Sequence, residues 1–309
     1  MPGTPGPEAG GGPAAPGFVL LEEQSLRDGL QNEARLLTVA EKLELVGLLA
    51  AAGIRRIQVG SFVDPRRVPQ MAGTGELVAQ VQADWPHLLC SALVLNARGL
   101  ERALACGMHH LSLSVSVAES HSRRNVGRAA ADALDDMVAL VRGAVAAGVR
   151  VRAGVQCAFG CLQEGDVDEA TVLAAVKRLA AAGAAEINLA DTAGLATPFQ
   201  VRRLVARVRA AVPEARLSLH LHDTGGQGLA NLAAGYGAGV RLFDTAAGGL
   251  GGCPFVEGVA GNVATEEAVR FFEAIGVATG VDLAALAQVV RRYEALLGRT
   301  LAGERGRAA

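Results

Sequence analysis

The feature that most constrains this chain is a repeated alternation of amphipathic and apolar segments. In AAGIRRIQVGSF (51–62), ACGMHHLSLSVSV (105–117), AAGVRVRAGVQC (146–157), AAGAAEINLADT (181–192) and GAGVRLFDTAAGG (237–249), a helical stretch ends in small residues and a short apolar run follows. Glycine directly after a helix fits the left-handed closing position, and the apolar run beyond it reads as a buried strand. Gly53, Gly107, Gly148, Gly183 and Gly239 lie 54, 41, 35 and 56 residues apart. These intervals hold one or two strand–helix units and are too irregular for a stacked-repeat solenoid. Further strand-like runs begin at Phe18, Leu88 and Arg216, which makes eight. The segments 39–52, 131–147, 198–212 and 283–297 are Ala- and Leu-rich and of helical length. Strands alternating with such helices imply a parallel sheet. Eight units in about 290 residues predict a (β/α)8 TIM barrel, with 283–297 as a short C-terminal helical extension. A doubly wound sheet would carry a glycine-rich phosphate loop after its first strand, where this chain has SLRDGLQNE.

The first 17 residues hold five of the eleven prolines and no apolar run. With neither a basic nor an apolar stretch they are no signal peptide, and the expectation is a disordered tail, 1–17, before a single barrel domain, 18–309. The apolar half of the composition suffices for a large core, and the net charge of −2 opposes a dedicated nucleic-acid binder. No apolar run is long enough to span a membrane. Five scattered cysteines, at 90, 106, 157, 161 and 253, form no even set for a disulfide framework. They fit a reducing, cytoplasmic location. Apolar helix faces outside a barrel make a homodimer the expected assembly.

Polar residues gather where the strands end: Arg27 and Asp28, Gln58 and Ser61, Asn96, Ser114 and Ser116, Gln156, Asp191, His220 and His222, and Asp244. Barrel enzymes build their active sites at that face. His220 and His222 are two apart on a strand, so both rings point to the same side, about 7 Å apart and toward the axis. Asp28, at the end of strand one, and Asn262, in the loop after strand eight, come from neighbouring parts of the ring. Two imidazoles, a carboxylate and an amide oxygen suit Mg²⁺, Mn²⁺ or Co²⁺ and tolerate Zn²⁺. Asn262 reads equally as a turn residue before a helix. Asp223 is either a group supporting the metal ligands or a helix cap. Cys253, in the glycine-rich GLGGCPF loop, is placed to bring a thiol over the site, whereas the other four cysteines read as packing. Arg27 at a barrel mouth would stabilise a developing oxyanion. Arg152, at the start of strand five, reads as a solvated arginine or as a substrate contact, and Arg123 and Arg124 as a charged loop.

With SLRDGLQNE, VGSFVDPRRVPQM, HLHDTGGQGLAN and GLGGCPFVEGVAGNVATE in view, the chain resembles the 3-hydroxy-3-methylglutaryl-CoA lyase family from about Phe18 to Leu297. More broadly it is similar to metallolyases with an Asp-Arg-Glu-type site on a TIM barrel. The resemblance implies metal ligands Asp28, His220, His222 and Asn262, and Arg27 on the thioester oxygen. It implies Cys253 as a proton-transferring thiol, Asp191 in the polar wall, and Gln31, Ser61 and Arg152 as substrate contacts. The reaction it implies is a retro-Claisen cleavage of an acyl-CoA to acetyl-CoA and a keto acid, acetoacetate for the namesake substrate and a step of leucine degradation there. The base is either Asp28 or His220. Three positions depart from the pattern. Gln58 stands where an acidic residue is expected, His121 where an aromatic is, and Gly225 where a bulkier residue is. They leave two alternatives, a Claisen-type acyltransferase and a catalytically impaired acyl-CoA binder, and point to a substrate other than 3-hydroxy-3-methylglutaryl-CoA itself.

Overall fold

A computed structural model describes residues 17–251 and 260–301. The expected tail, apart from Gly17, and Cys253 lie outside the described residues. Eight parallel strands follow one another around a closed ring. They are β1 (Leu20–Glu23), β2 (Arg56–Ser61), β3 (Leu89–Val94), β4 (His110–Ser116), β5 (Arg150–Gln156), β6 (Glu186–Ala190), β7 (Arg216–His220) and β8 (Leu242–Thr245). The (β/α)8 expectation is met, with all eight runs found as strands. The first starts two residues late because Phe18 pairs with Ala278 outside the ring.

The helices alternate with the strands. After β1 comes α1 (Val39–Ala51), after β2 α2 (Thr74–Asp84) and after β3 α3 (Ala97–Ala105). Two helices, α4 (Glu119–Val126) and α5 (Ala130–Ala146), follow β4. Then come α6 (Glu169–Ala181), α7 (Pro198–Ala211), α8 (Gly228–Gly237), and after β8 both α9 (Thr265–Ala274) and the extension α10 (Leu283–Leu297). Local sequence sets their starts. Thr38 and Glu41, and Thr197 and Gln200, form reciprocal capping boxes, and Pro198 sits where its missing N–H is not needed. The five glycines of the repeat all have positive φ, as the pattern requires. At Gly53 the need is twofold, since a Cβ there would also sit 2.2 Å from the Gly280 carbonyl oxygen. The extension packs against α1 and α9, and the buried Tyr293 hydroxyl reaches Ser25 Oγ at 2.7 Å.

The ring's interior is charged as well as apolar. Arg152 is buried between Glu22, at 2.9 Å, and Asp244, at 2.5 Å. Arg56 in turn joins Glu22 to Glu186, at 2.8 Å each. Burial alone would raise the Glu22 pKa, but Arg152 and Arg56 outweigh it and hold the carboxylate charged. Such pairs are costly to break singly, because the partner left behind is a buried, uncompensated charge. Arg152 is thus neither solvated nor at the mouth. The reading from sequence put it there because strand position does not report which neighbours fill the axis. His110, in the same layer, has no hydrogen-bond partner on either ring nitrogen among the described residues, and burial lowers its pKa to about 4.

Arg152→Met is expected to lower unfolding free energy by about 3–5 kcal/mol in urea denaturation. The folded protein holds His110 neutral, so this contribution is whole above the unfolded pKa of 6.5 and is lost as pH falls toward 4. His110→Gln should therefore flatten the loss of stability between those pH values by up to about 3 kcal/mol, read from urea midpoints at pH 7 and pH 4.5.

Candidate active site

Behind β1 the chain makes a π-helical turn, Ser25–Gly29, which carries Arg27 and Asp28 to the C-terminal mouth of the barrel. Strand β7 ends at His220, two strands around the ring from β1. His222 lies just beyond it and forms a single bridge with Asn262, so the strand is shorter than the alternation predicts. Both rings still face the same way, with centroids 5.0 Å apart.

Asp28, His220 and His222 each present a ligand atom within 4.8 Å of the others, and all three are buried. The histidines are oriented from behind. His222 Nδ1 lies 2.8 Å from the Asp191 carbonyl oxygen, which only accepts, so Nδ1 carries the proton and Nε2 keeps a free lone pair. His220 Nδ1 lies 3.1 Å from Asp244 Oδ2 with the same consequence. The two Nε2 atoms stand 3.9 and 3.8 Å from Asp28 Oδ2, too far for hydrogen bonds. Asn262 Nδ2 donates to Asp28 Oδ2 at 2.8 Å and to the Leu250 carbonyl at 2.9 Å. His222 Nε2 and Asn262 Oδ1 are buried without a hydrogen-bond partner among the described residues. A cation among these four side chains would supply the missing partner, and the donor set fits one.

Charge is arranged to match. Burial opposes ionisation of Asp28, but Arg27, His222 and His220 together hold its pKa well below the usual carboxylate range. Burial also opposes charging of His222, and Asp28 reverses that, raising its pKa. Asp191 is pushed up by burial. Its Oδ1 accepts the Leu195 and Ala196 amides at 2.8 and 3.1 Å, so the side chain folds back on the loop after β6.

Arg27 is gripped on three sides. Its Nε donates to Gln58 Oε1, Nη1 to Asp28 Oδ1 at 2.5 Å and Nη2 to Gln24 Oε1 at 3.0 Å. Gln31 Nε2 donates to Asp28 Oδ1 at 2.8 Å, and Ser61 Oγ to the Leu93 carbonyl at 3.2 Å. Arg27, Asp28, Gln31, Gln58, Ser61, His220 and His222 all line one cavity of about 490 Å³. Arg152 does not line it, and Asn96 is spent on capping α3. Asp223 proves to be a cap, accepting the Gly228 amide at 2.8 Å. Cys90 and Cys157 are buried with thiols pushed up to about 12, in keeping with packing roles.

The sequence reading missed the residues behind the site. Glu23 accepts the Ser25 and Ala247 amides and the Thr265 hydroxyl, tying the π-turn to the loop after β8. Glu266 accepts the Gly248 amide with both carboxylate oxygens, 3.1 Å each, and burial pushes its pKa up to about 7. Consecutive acidic residues at the end of an otherwise apolar strand, Glu22-Glu23, were the available signal.

Comparison with known proteins follows the same lines. Residues 19–292 match the HMGL-like family. The chain belongs to that family. A 3-hydroxy-3-isohexenylglutaryl-CoA/hydroxymethylglutaryl-CoA lyase of Pseudomonas aeruginosa is 40% identical over 92% of this chain and 95% of its own. An (R)-citramalyl-CoA lyase of Chloroflexus aurantiacus is 39% identical, covering 94% of both. The structure of an HMG-CoA lyase from Acinetobacter baumannii, in complex with coenzyme A and 3-methylmalate, superposes on this HMGL-like chain with a TM-score of 0.90. That protein is 35% identical and covers 96% of each chain.

Titration of the purified protein with Mn²⁺ in a calorimeter should show one site per chain. His222→Ala and Asp28→Asn should each weaken it at least about tenfold while Tm stays within a few degrees.

Proposed function

We propose that this chain is a divalent-metal-dependent carbon–carbon lyase. Its substrate would be a 3-hydroxy-3-methylglutaryl-CoA-like acyl-CoA, cleaved to acetyl-CoA and a keto acid. The observation that carries the reading is the meeting of Arg27 and Asp28 with His220, His222 and Asn262 at the rim of one cavity. The relatives named above, lyases of three such acyl-CoA thioesters, support the same chemistry.

Cleavage removes the proton of the 3-hydroxyl. The oxygen's electron pair becomes the new C=O bond, the C2–C3 bond breaks, and its pair passes to the thioester as an enolate, which is protonated at C2. A divalent cation held by Asp28, His220, His222 and Asn262, with Mg²⁺ or Mn²⁺ suited to this hard-leaning set, would supply Lewis acidity that makes the tertiary alcohol easier to ionise. Arg27 points its guanidinium into the cavity mouth, where it offsets charge developing on the thioester oxygen. Gln58 and Gln24 hold that guanidinium by neutral amide oxygens, so its positive charge is balanced by Asp28 alone among its hydrogen-bond partners. The amide at position 58 thus keeps the acceptor that an acidic residue would provide there and removes its negative charge. Asp244 and Asp191 keep the two imidazoles turned the same way. Cys253, outside the described residues, is the thiol that the family resemblance implies takes part in proton transfer. Among the described residues no helix is long and apolar enough to cross a membrane, and we take the site of action to be the cytoplasm.

Acetyl-CoA release from 3-hydroxy-3-methylglutaryl-CoA should depend on added Mn²⁺ or Mg²⁺ and stop in excess EDTA. Full turnover in EDTA would overturn the reading. Arg27→Met should reduce kcat by about 10²–10³-fold in protein saturated with Mn²⁺, with Tm within a few degrees of wild type, as expected for a group that acts on the developing oxyanion.

A further inference from the structure

The N-terminal end of the barrel, away from the cavity, is ringed by ionisable side chains. Arg56 begins β2, His110 begins β4, Arg150 begins β5, Glu186 begins β6 and Arg216 begins β7. His110 and Arg150 are register partners on adjacent strands, as are Glu186 and Arg216, so each pair stands level on one face of the sheet. Arg150 Nη2 lies 3.3 Å and His110 Nε2 3.9 Å from Glu186 Oε1, which brings both side chains beside the buried carboxylate.

Ion pairs run down the axis to this end. Asp244 meets Arg152, Arg152 meets Glu22, Glu22 meets Arg56 and Arg56 meets Glu186. Glu186 also serves Arg150. No carboxylate remains for Arg216, whose half-buried guanidinium has no hydrogen-bond or ion-pair partner among the described residues. Arg56, Arg150, Arg152 and Arg216 stand against Glu22, Glu186 and Asp244, which leaves one positive charge in excess. Burial opposes the charge on Arg216, Glu186 favours it, and Arg56 and Arg150 repel it, so its pKa stands below the usual arginine range. Burial would raise the pKa of Glu186, but Arg56 outweighs it and brings the value to about 2, so this carboxylate is already charged and fully engaged.

His110 supplies an independent observation. It is 4% exposed, and neither ring nitrogen has a hydrogen-bond partner among the described residues. Arg150 Nε is likewise buried without one. A neutral imidazole always carries one N–H, so donors from β4, β5 and β7 lack acceptors at the same end of the ring. Water can accept from such donors, but only an anion also balances the surplus charge.

We infer that the N-terminal end of the barrel binds a small monovalent inorganic anion, of the size and charge of chloride, between Arg216, Arg150 and His110. One negative charge matches the one left unbalanced, and Glu186 repels an ion that carries more. The site is independent of the lyase reading, because its residues are at the opposite strand ends from those that line the cavity.

The Mn²⁺-loaded full chain can be melted at constant ionic strength while chloride replaces morpholinoethanesulfonate, an anion too bulky to enter among strand ends. Wild-type Tm should rise by about 2–4 °C and level off as the site fills. Arg216→Gln should abolish the rise without lowering Tm in the sulfonate, because it removes the unbalanced charge, and Arg216→Lys should keep part of it. Arg142→Gln, on the exposed side of α5, should leave the rise intact. In crystals of the wild-type protein soaked in bromide, an anomalous peak should touch the Arg216 guanidinium. A wild-type Tm indifferent to chloride, a rise that survives in Arg216→Gln, or bromide bound only elsewhere overturns the assignment. Should Arg216→Gln fail to fold, the bromide position in wild type decides.

Discussion

The buried guanidinium of Arg152 is the constraint on which the rest of this site depends. It fixes Glu22 on one side and Asp244 on the other. Asp244 then fixes the His220 ring through Nδ1. A charged layer in the middle of a barrel contributes little net stability, because desolvation offsets the Coulombic gain. What it contributes here is direction. Side chains from β1, β5, β7 and β8 are locked to one another, so the imidazole at the rim inherits its orientation from the core beneath it.

The same logic runs around the mouth. Asp191 fixes His222 through a backbone carbonyl, Glu23 ties the π-turn to the loop after β8, and Asn262 clasps Asp28. Each of Asp28, His220 and His222 is therefore held by a neighbouring group through an atom other than the one it would offer a cation. The atoms left without partners are those that would meet a cation, His222 Nε2 and Asn262 Oδ1. A site with its supports satisfied and its working atoms unsatisfied is prepared for a ligand.

Much of this was legible in the chain. The alternation of helix, glycine and apolar run yields five of the strands and three further apolar runs the rest, because glycine closures and buried parallel strands have strong local signatures. The rim residues Asp28, His220, His222 and Asn262 are readable because strand ends at one face of a barrel converge whatever the details of packing. Arg152 is where this logic misleads. Its neighbours on β5 say that it belongs to a strand, but only the closed ring brings Glu22 and Asp244 to it from strands 130 and 92 residues away. The partners of Glu23 and Glu266 were hidden for the same reason: the acidic pair at the end of β1 marks Glu23 as unusual, but nothing local says that either carboxylate bonds to a backbone amide far along the chain.

The sequence by itself determined the fold class, the order of the elements and the set of residues delivered to the mouth, since these follow from local conformational preference and from the geometry of a parallel ring. Tertiary structure alone decided which nitrogen of His220 and of His222 stays free, and that Arg27 is held by two neutral amides and one carboxylate. Those outcomes depend on pairings between residues distant in the chain, and a local pattern carries no record of them.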